Sequence, residues 1–211
     1  RSLEDMLADD QVELVIVNTP NYTHFEYAEQ ALKAGKHVIV EKPFTVTVNE
    51  GKKLMALAEK NGKKISVYQN RRYDRDYKTI KKVLASNILG NIVEAELHFD
   101  RFKEELSPKL HKEKPGRGSG SLYDLGSHLI DQLQALFGLT QAITADLRIQ
   151  RKGGKANDNF EVILHYPFIK ASVKSGMLVR EQLPRLILLG SSGSFVKYGM
   201  DVQEEDLKAG L

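Results

Sequence analysis

The chain has 211 residues, with 31 Lys and Arg against 28 Asp and Glu, and a formal net charge of +3. This length can bury a sizeable core and lies between one large domain and two modest ones. The absence of cysteine excludes a disulfide framework, a thiol nucleophile and a zinc–thiolate site. Because the basic residues are dispersed and no apolar run approaches the roughly 18 to 20 residues that span a bilayer, we expect a cytoplasmic protein without nucleic-acid or membrane partners.

The first half of the chain alternates strand and helix patterns at the short spacing of parallel βαβ units. Asn21 is the expected N-cap of a helix that Gly35 ends, and Thr47 or Asn49 is the expected cap of the next helix. The pattern predicts a parallel α/β sheet. The predicted strands are 14–17, 38–40 and 65–68, with helices between them and at 74–85.

After Gly90 the segments become longer and alternate apolar with polar residues, which favours an antiparallel sheet with one solvated face. One helix, about 122–137, interrupts them and should pack on the other face. A long loop, 103–121, leads to that helix. The predicted fold is therefore α/β, with a parallel sheet at 1–87 and an α+β domain at 88–211, built on a mostly antiparallel open sheet. The predicted strands of this half are 92–102, 143–149, 160–165, 171–177, 185–189 and 194–198.

Polar residues follow two of the predicted parallel strands. Glu41, Lys42 and Pro43 come after one strand, and Asn18 and Thr19 come after the strand before it. Open α/β sheets bind ligands at the carboxyl ends of their strands, so both polar strand ends are expected to line one crevice. The alternative for the lysine is a strand-end side chain that extends into water. The proline keeps that lysine out of the α region, in an extended conformation at the strand exit.

Asp124 and His128 are four residues apart on the later predicted helix and therefore share one face. They are either a solvated pair or part of a cleft, and the apolar character of the rest of the helix favours the cleft. Histidine titrates near neutral pH and suits a general base. Gly126 between them would let a ligand or another backbone approach closely, since glycine in a helix otherwise costs about 1 kcal/mol relative to alanine.

Three motifs in this order, Asn21-x-x-His24, Glu41-Lys42-Pro43 and Asp124-x-Gly-x-His128, resemble the glucose-fructose oxidoreductase, inositol dehydrogenase and MocA family. The runs 68–74 and 122–132 look more narrowly like the NADP-dependent scyllo-inositol dehydrogenases. The resemblance implies an NAD- or NADP-dependent oxidoreductase that acts on a hydroxyl group of a polyol, cyclitol or sugar. It also implies that residues 1–87 are the C-terminal part of a Rossmann-type parallel sheet, a partial dinucleotide-binding domain, and that 88–211 is a substrate-binding and dimerisation domain. The chain would then lack the glycine-rich nucleotide-binding unit and be an internal part of a longer protein.

By the resemblance, the catalytic residues are Lys42, Asp124 and His128, with the histidine as general base and the other two holding the substrate oxygen. The residues that would contact substrate are Arg71, Arg72 and Tyr123, although paired arginines are as often structural. The residues that would contact the cofactor are Asn18, Thr19, Pro20, Asn21, His24, Glu41, Lys42, Gln69 and Asn70.

Two other classes of function remain open at this point: a ligand sensor without turnover, and an assembly module. We interpret the alternating residues of 160–165 and 171–177 as an apolar, uncovered sheet face, which would suit a homo-oligomer such as a dimer or tetramer. The remaining histidines show no ligand spacing, so we expect no metal.

Overall fold

The computed structural model describes residues 2–108, 113–199 and 202–210. Its described residues form two compact units. The first unit takes them from Arg1–Gln69 and Gly116–Ser119, and the second from Asn70–Pro115 and Gly120–Leu211. The sequence predicts a boundary near residue 87, whereas the chain passes to the second unit at residue 70, because the helix before residue 87 packs Ile80 into the second unit's core.

The first unit is a three-stranded parallel sheet with its connecting helices, in the strand order β1-β2-β3. β2 is the central strand, and its residue Val38 pairs with Val15 on one side and Ile65 on the other. Alternate strand residues and one face of each long helix form the core, which includes Leu32 and Leu54. The elements are α1 (Leu3–Ala8), β1 (Leu14–Val17), a 3-10 turn (Asn21–Thr23), α2 (His24–Lys33), β2 (His37–Glu41), α3 (Val48–Lys60) and β3 (Ile65–Tyr68).

The helix ends of this unit agree with the sequence at α3 and differ at α2. Thr47 caps α3 in a capping box with Glu50, as predicted. α2 ends before Gly35, whose φ of +73° suits glycine. Asn21 was expected to cap α2, and that prediction is wrong: the side-chain amide of Asn21 donates to the carbonyl oxygen of Gly118 at 2.7 Å.

The second unit contains a six-stranded sheet in the order β5-β6-β7-β4-β8-β9. All neighbouring strands are antiparallel except β4 and β7, so the sheet is mostly antiparallel. Its elements are a 3-10 turn (Asn70–Tyr73), α4 (Arg75–Ala85), β4 (Ile92–His98), a π-helical turn (Leu122–Gly126), α5 (Ser127–Phe137), β5 (Ala142–Arg148), β6 (Asn159–His165), β7 (Lys170–Gly176), β8 (Leu186–Gly190), β9 (Ser194–Lys197) and α6 (Gln203–Lys208).

One face of this sheet forms the core with α5. Phe160, Leu164 and Val173 on the sheet are buried together with Leu129 and Leu133 of the helix. The alternating apolar residues of β6 and β7 therefore face the core, and the interpretation of them as an uncovered face is wrong. The homo-oligomer stays a prediction without that support.

The opposite face of the sheet is charged. Lys174 of β7 pairs with Glu96 of β4 and with Glu161 of β6, each at 3.3 Å, and Lys170 pairs with Glu94 at 2.8 Å. Because strand side chains alternate between faces, these residues all lie opposite the apolar core. No helix in the part of the chain described here is long and apolar enough to cross a bilayer.

Candidate active site

Polar residues end all three strands of the first unit at the same edge of the sheet. Thr19 follows β1, Lys42 follows β2, and Gln69 follows β3. Because the strands are parallel and in register, their carboxyl ends lie side by side, with Lys42 after the central strand. This edge is where open α/β sheets bind ligands. The sequence-based expectation of two adjoining polar strand ends agrees with this arrangement, to which β3 adds a third.

Glu41 and Lys42 are both half-buried. A carboxylate oxygen of Glu41 accepts a hydrogen bond from the backbone N–H of Lys42 at 3.1 Å, which fixes the direction in which the chain leaves β2. The peptide bond between Lys42 and Pro43 is cis.

His24 is completely buried at the start of α2. Its Nδ1 lies 2.8 Å from the carbonyl oxygen of Pro43, and its Nε2 lies 2.9 Å from the carbonyl oxygen of Thr19. The ring therefore connects the exits of β1 and β2 through their backbones. Both nitrogens face the protein, so this geometry favours a supporting role for His24 over the predicted contact with cofactor.

The side-chain oxygen atoms of Gln69 and Asn70 are unusual because they are buried without a hydrogen-bond partner among the described residues. Gln69 Oε1 and Asn70 Oδ1 are buried, and neither accepts a hydrogen bond from any residue that the structure describes. Buried polar atoms nearly always have a partner, so such atoms call for an explanation such as water or a bound molecule. Each oxygen could accept a hydrogen bond from a ligand that carries N–H or O–H groups.

Asp124 and His128 lie in the second unit, on the continuous helical segment made by the π-helical turn and α5. The sequence predicts an α-helix over both residues, whereas Asp124 belongs to the wider π turn. π turns within α-helices occur often at functional sites. His128 is buried, and its ring lies edge-on to Phe99 of the same unit, with centroids 6.4 Å apart.

Asn157 holds the start of this π turn, a role that the sequence analysis missed. Its Oδ1 accepts from the backbone N–H of Leu122 at 2.9 Å and from the hydroxyl of Ser121 at 3.1 Å. Its carbonyl oxygen accepts from the N–H of Ser121 at 2.7 Å. The only available signal was an Asn-Asp pair in a loop 33 residues beyond Asp124, which by itself indicates a turn.

Gly126 permits close packing within the protein. A Cβ atom at this position would lie 2.7 Å from Leu122 Cδ1 and 3.2 Å from Phe160 Cζ. The close approach predicted for a ligand or another backbone is thus made by two apolar side chains.

Arg71 and Arg72, the predicted substrate contacts, both form ion pairs within the second unit. Arg72 donates two hydrogen bonds to Asp131, at 2.7 and 2.6 Å, and Arg71 donates to Asp74 at 3.2 Å. The bidentate geometry of Arg72 fits the structural alternative. Contacts of Arg71 and of the half-buried Tyr123 with substrate stay predictions.

The structure thus places Asp124 and His128 on one helical segment of the second unit and Lys42 at a strand exit of the first. Their grouping as one catalytic set stays a prediction. In the described part of the chain, no cluster of three His, Asp or Glu side chains could hold a metal ion.

Two protein-family models match the chain in succession. Residues 1–69 match an oxidoreductase family described as an NAD-binding Rossmann fold, and residues 77–196 match the GFO/IDH/MocA C-terminal domain. The chain belongs to the GFO/IDH/MocA oxidoreductase family. This confirms the resemblance drawn from the motifs, and the NAD-binding description of the first model agrees with the expected class of cofactor.

Individual members of the GFO/IDH/MocA family align over nearly the whole chain. The uncharacterized oxidoreductase YdgJ of Escherichia coli (strain K12) is 46% identical over 96% of this chain and 58% of its own length. IolW of Bacillus subtilis (strain 168), named scyllo-inositol 2-dehydrogenase (NADP(+)), is 41% identical over 99% of this chain and 58% of its own length. The solved structure of the oxidoreductase yvaA from Bacillus subtilis, 41% identical, matches 100% of this chain and 60% of its own, with a TM-score of 0.94. The chain therefore spans about three fifths of the length of these relatives, and the last match confirms the predicted α/β fold class.

Proposed function

We propose that the full-length protein is an NAD- or NADP-dependent oxidoreductase that oxidises or reduces one carbon of a polyol, cyclitol or sugar. The observation that supports this most directly is the polar carboxyl edge of the parallel sheet, with Lys42 after the central strand. Membership of the oxidoreductase family agrees with it. Among relatives, IolW is named a scyllo-inositol 2-dehydrogenase, and that name points to a cyclitol.

The residues at this edge fit a nicotinamide cofactor. Gln69 Oε1 and Asn70 Oδ1 are buried acceptors without a partner among the described residues, and a nicotinamide nucleotide offers carboxamide N–H and ribose O–H donors. Asn18, Thr19 and Glu41 would complete the set, while His24 would hold the two strand exits in place. The bound cofactor supplies the hydride acceptor or donor.

Three side chains would bind the substrate hydroxyl group or take its proton. The ammonium of Lys42 would donate a hydrogen bond to the substrate oxygen and stabilise the negative charge that develops there. The imidazole of His128 would take the hydroxyl proton, and Asp124 would orient the same oxygen. The burial of His128 against Phe99 would exclude water from that proton transfer.

The test is steady-state kinetics of the full-length protein with a panel of inositols and sugars and with both cofactors. Because each loss removes a proton or hydrogen-bond carrier, we expect Lys42→Ala and His128→Ala each to lower kcat by a factor of about 100 to 10,000. Fluorescence titration of NADH and NADPH should give nearly unchanged dissociation constants for His128→Ala.

His165→Ala is the matched control, since His165 is an exposed histidine whose ring hydrogen-bonds to the hydroxyl of Thr144 on the sheet. Its kcat should equal that of the unaltered protein. Near-normal turnover by His128→Ala would refute its role as the base, and saturable ligand binding without turnover of any substrate would favour the sensor alternative.

A further inference from the structure

A cavity of about 250 Å³ lies within the second unit and has Asp124 in its wall. Its described lining comes from four stretches of chain: the segment after β4, the start of the π turn, the loop between β5 and β6, and Met177 after β7. Its charged lining residues are Arg101, Lys103, Arg151, Glu113, Asp124 and Asp158. Among the described residues of the lining, three positive and three negative groups balance, so what they can bind depends on which of them already have partners.

Arg151, Asp158 and Glu113 form an ion cluster at the cavity floor, and their charged groups bond to one another and to nearby backbone groups. Arg151 donates to Asp158 at 2.9 Å, to Glu113 at 2.9 and 3.2 Å, and to the carbonyl oxygen of Glu105 at 2.9 Å. Asp158 also accepts from the N–H groups of Gln150 and Arg151. Burial by itself would raise the pKa of Asp158, but these hydrogen bonds and the guanidinium charge outweigh burial and lower that pKa. The carboxylates of the cluster therefore have little capacity left for a ligand.

Arg101 and Lys103 are different, because neither side chain forms an ion pair or hydrogen bond with any described residue. The backbone N–H groups of Arg101 and Lys103 donate to Gly176 and Met177, which holds this segment extended. Both residues line this cavity, as expected of residues two apart on an extended chain, and Arg101 also lines a neighbouring pocket. Phe102 between them points the other way, where Arg180 lies over its ring at 4.1 Å.

Asn157 adds a third donor. Its Oδ1 is occupied by Ser121 and Leu122, whereas its Nδ2 donates to none of the residues described. Among the described residues of this part of the lining, the groups that form no hydrogen bond or ion pair are thus two cations and one amide N–H. All three are donors. Such a set fits an acceptor-rich anion.

We propose that this cavity binds the acidic group, a carboxylate or a phosphate, of a polyol substrate, with Arg101 and Lys103 as its specificity-determining residues. The inference rests on the proposed function, because Asp124 links the cavity to the reacting hydroxyl group. Arg101 suits a planar, bidentate contact with either anion, and Lys103 adds a point charge. The substrate class would then be sugar acids or sugar phosphates in preference to neutral polyols.

The test is isothermal titration of D-glucose, D-glucuronate and D-glucose 6-phosphate into the full-length protein, with turnover of each measured separately. We expect at least one acid to bind about ten to a hundred times more tightly than glucose, the range of a charge-assisted hydrogen bond. Arg101→Gln and Lys103→Gln should each remove about tenfold of that preference and leave glucose binding unchanged. Arg180→Gln is the matched control and should alter neither.

The outcomes separate this inference from the proposed function. Turnover of glucose with no preference for either acid, or an acid preference that survives both substitutions, would overturn the acidic subsite and leave the oxidoreductase in place. Acid binding that depends on Arg101, without turnover of any probe, would support the subsite and count against the proposed chemistry. Binding of none of the three probes would overturn the subsite.

Discussion

In the first unit, the two basic side chains that are buried among the described residues contact backbone carbonyl groups. Lys36 Nζ donates to the carbonyl oxygen of Asp9 at 2.8 Å, and the ring of His24 lies between two further carbonyl oxygens. In the second unit, three of the buried basic side chains contact carboxylates. The pairs are Arg151 with Asp158 and Glu113, Arg185 with Asp76, and His98 with Glu96 and Asp100.

This difference separates two ways of holding a polar site. A carbonyl oxygen keeps its partial charge at every pH, and removing its partner exposes no full charge. A buried carboxylate that loses its partner retains a charge away from water, at a cost of several kcal/mol. We therefore expect the second unit to respond much more strongly than the first to substitution, pH and salt.

The largest effect should come from Arg151→Met, compared with Lys36→Met in the first unit. Because Arg151→Met leaves two buried carboxylates without their cation, we expect it to lower the free energy of unfolding by about 3–5 kcal/mol. Lys36→Met loses one hydrogen bond to a carbonyl group and should cost about 1 kcal/mol. Urea denaturation of the full-length variants, followed by circular dichroism, measures both. Equal costs would remove the basis of the comparison.

His24→Leu should have an intermediate effect. The leucine fills the site but leaves a buried carbonyl group without a donor, which costs about 1–3 kcal/mol. Because those carbonyls belong to Pro43 and Thr19 at the strand exits, the affinity for NADH or NADPH should fall as well. His37→Gln, at an exposed hydrogen bond to the N–H of Lys64, is the control for both measurements. Unchanged cofactor affinity in His24→Leu would refute the supporting role.

His98 should make the stability of the second unit depend on pH. Burial opposes its charge, but hydrogen bonds to Asp100 and Glu96 outweigh burial and raise the pKa of the imidazole. Because the pKa of His98 is higher in the folded state, protonated His98 stabilises the fold fully at pH values below its pKa in the unfolded chain, about 6.5. This stabilisation is lost as pH rises through the folded value.

His98→Gln should therefore flatten the pH dependence of unfolding between about pH 6 and 8, near the ordinary range of histidine. Lys174, which also pairs with Glu96, remains in this variant. His165→Gln is the control, since its partner Thr144 is uncharged. An identical slope in the two variants would show that the carboxylates do not hold the proton on His98.

The smallest effect should come from Lys174→Gln on the charged sheet face. Its pairs with Glu96 and Glu161 are partly exposed, so we expect a loss of about 0.2–1 kcal/mol at low salt. At about 1 M salt, where the screening length falls to roughly 3 Å, the difference should nearly vanish. A salt-independent loss would indicate that packing of the lysine stem is the cause.

The sequence predicted the strands and helices well where the determining contacts are local. Apolar periodicity located β1, β2 and β3, and the start of α3 was narrowed to Thr47 or Asn49; the structure has Thr47, in a capping box with Glu50 that involves only four consecutive residues. Periodicity also identified both faces of β6. It could not tell whether the apolar face packs on a helix of the same chain or on a second subunit, because either partner would bury the same alternating residues.

The features that the sequence missed depend on distant residues. The partner of the Asn21 side chain lies 97 positions away at Gly118, so its local appearance as a helix cap was misleading. The π turn depends on hydrogen bonds to Asn157, 35 positions beyond Leu122. Arg101 and Lys103 had a weak signal, alternation on an extended segment directly after β4, but nothing local showed that their side chains form no ion pair or hydrogen bond with the described part of the chain.

The π-helical turn at Leu122–Gly126 has one further consequence. Such a turn contains one residue more than the α-helical turn that it replaces. Deleting one residue between Asp124 and His128 would restore regular winding and place Asp124 three residues before His128, about 300° around the helix axis, because an α-helix turns by about 100° per residue. Asp124 would then change its bearing relative to His128, although both residues, the sheet and the cavity lining were all retained. The position of a side chain around the helix axis can thus change without any substitution. A single insertion or deletion could redirect this carboxylate in that way.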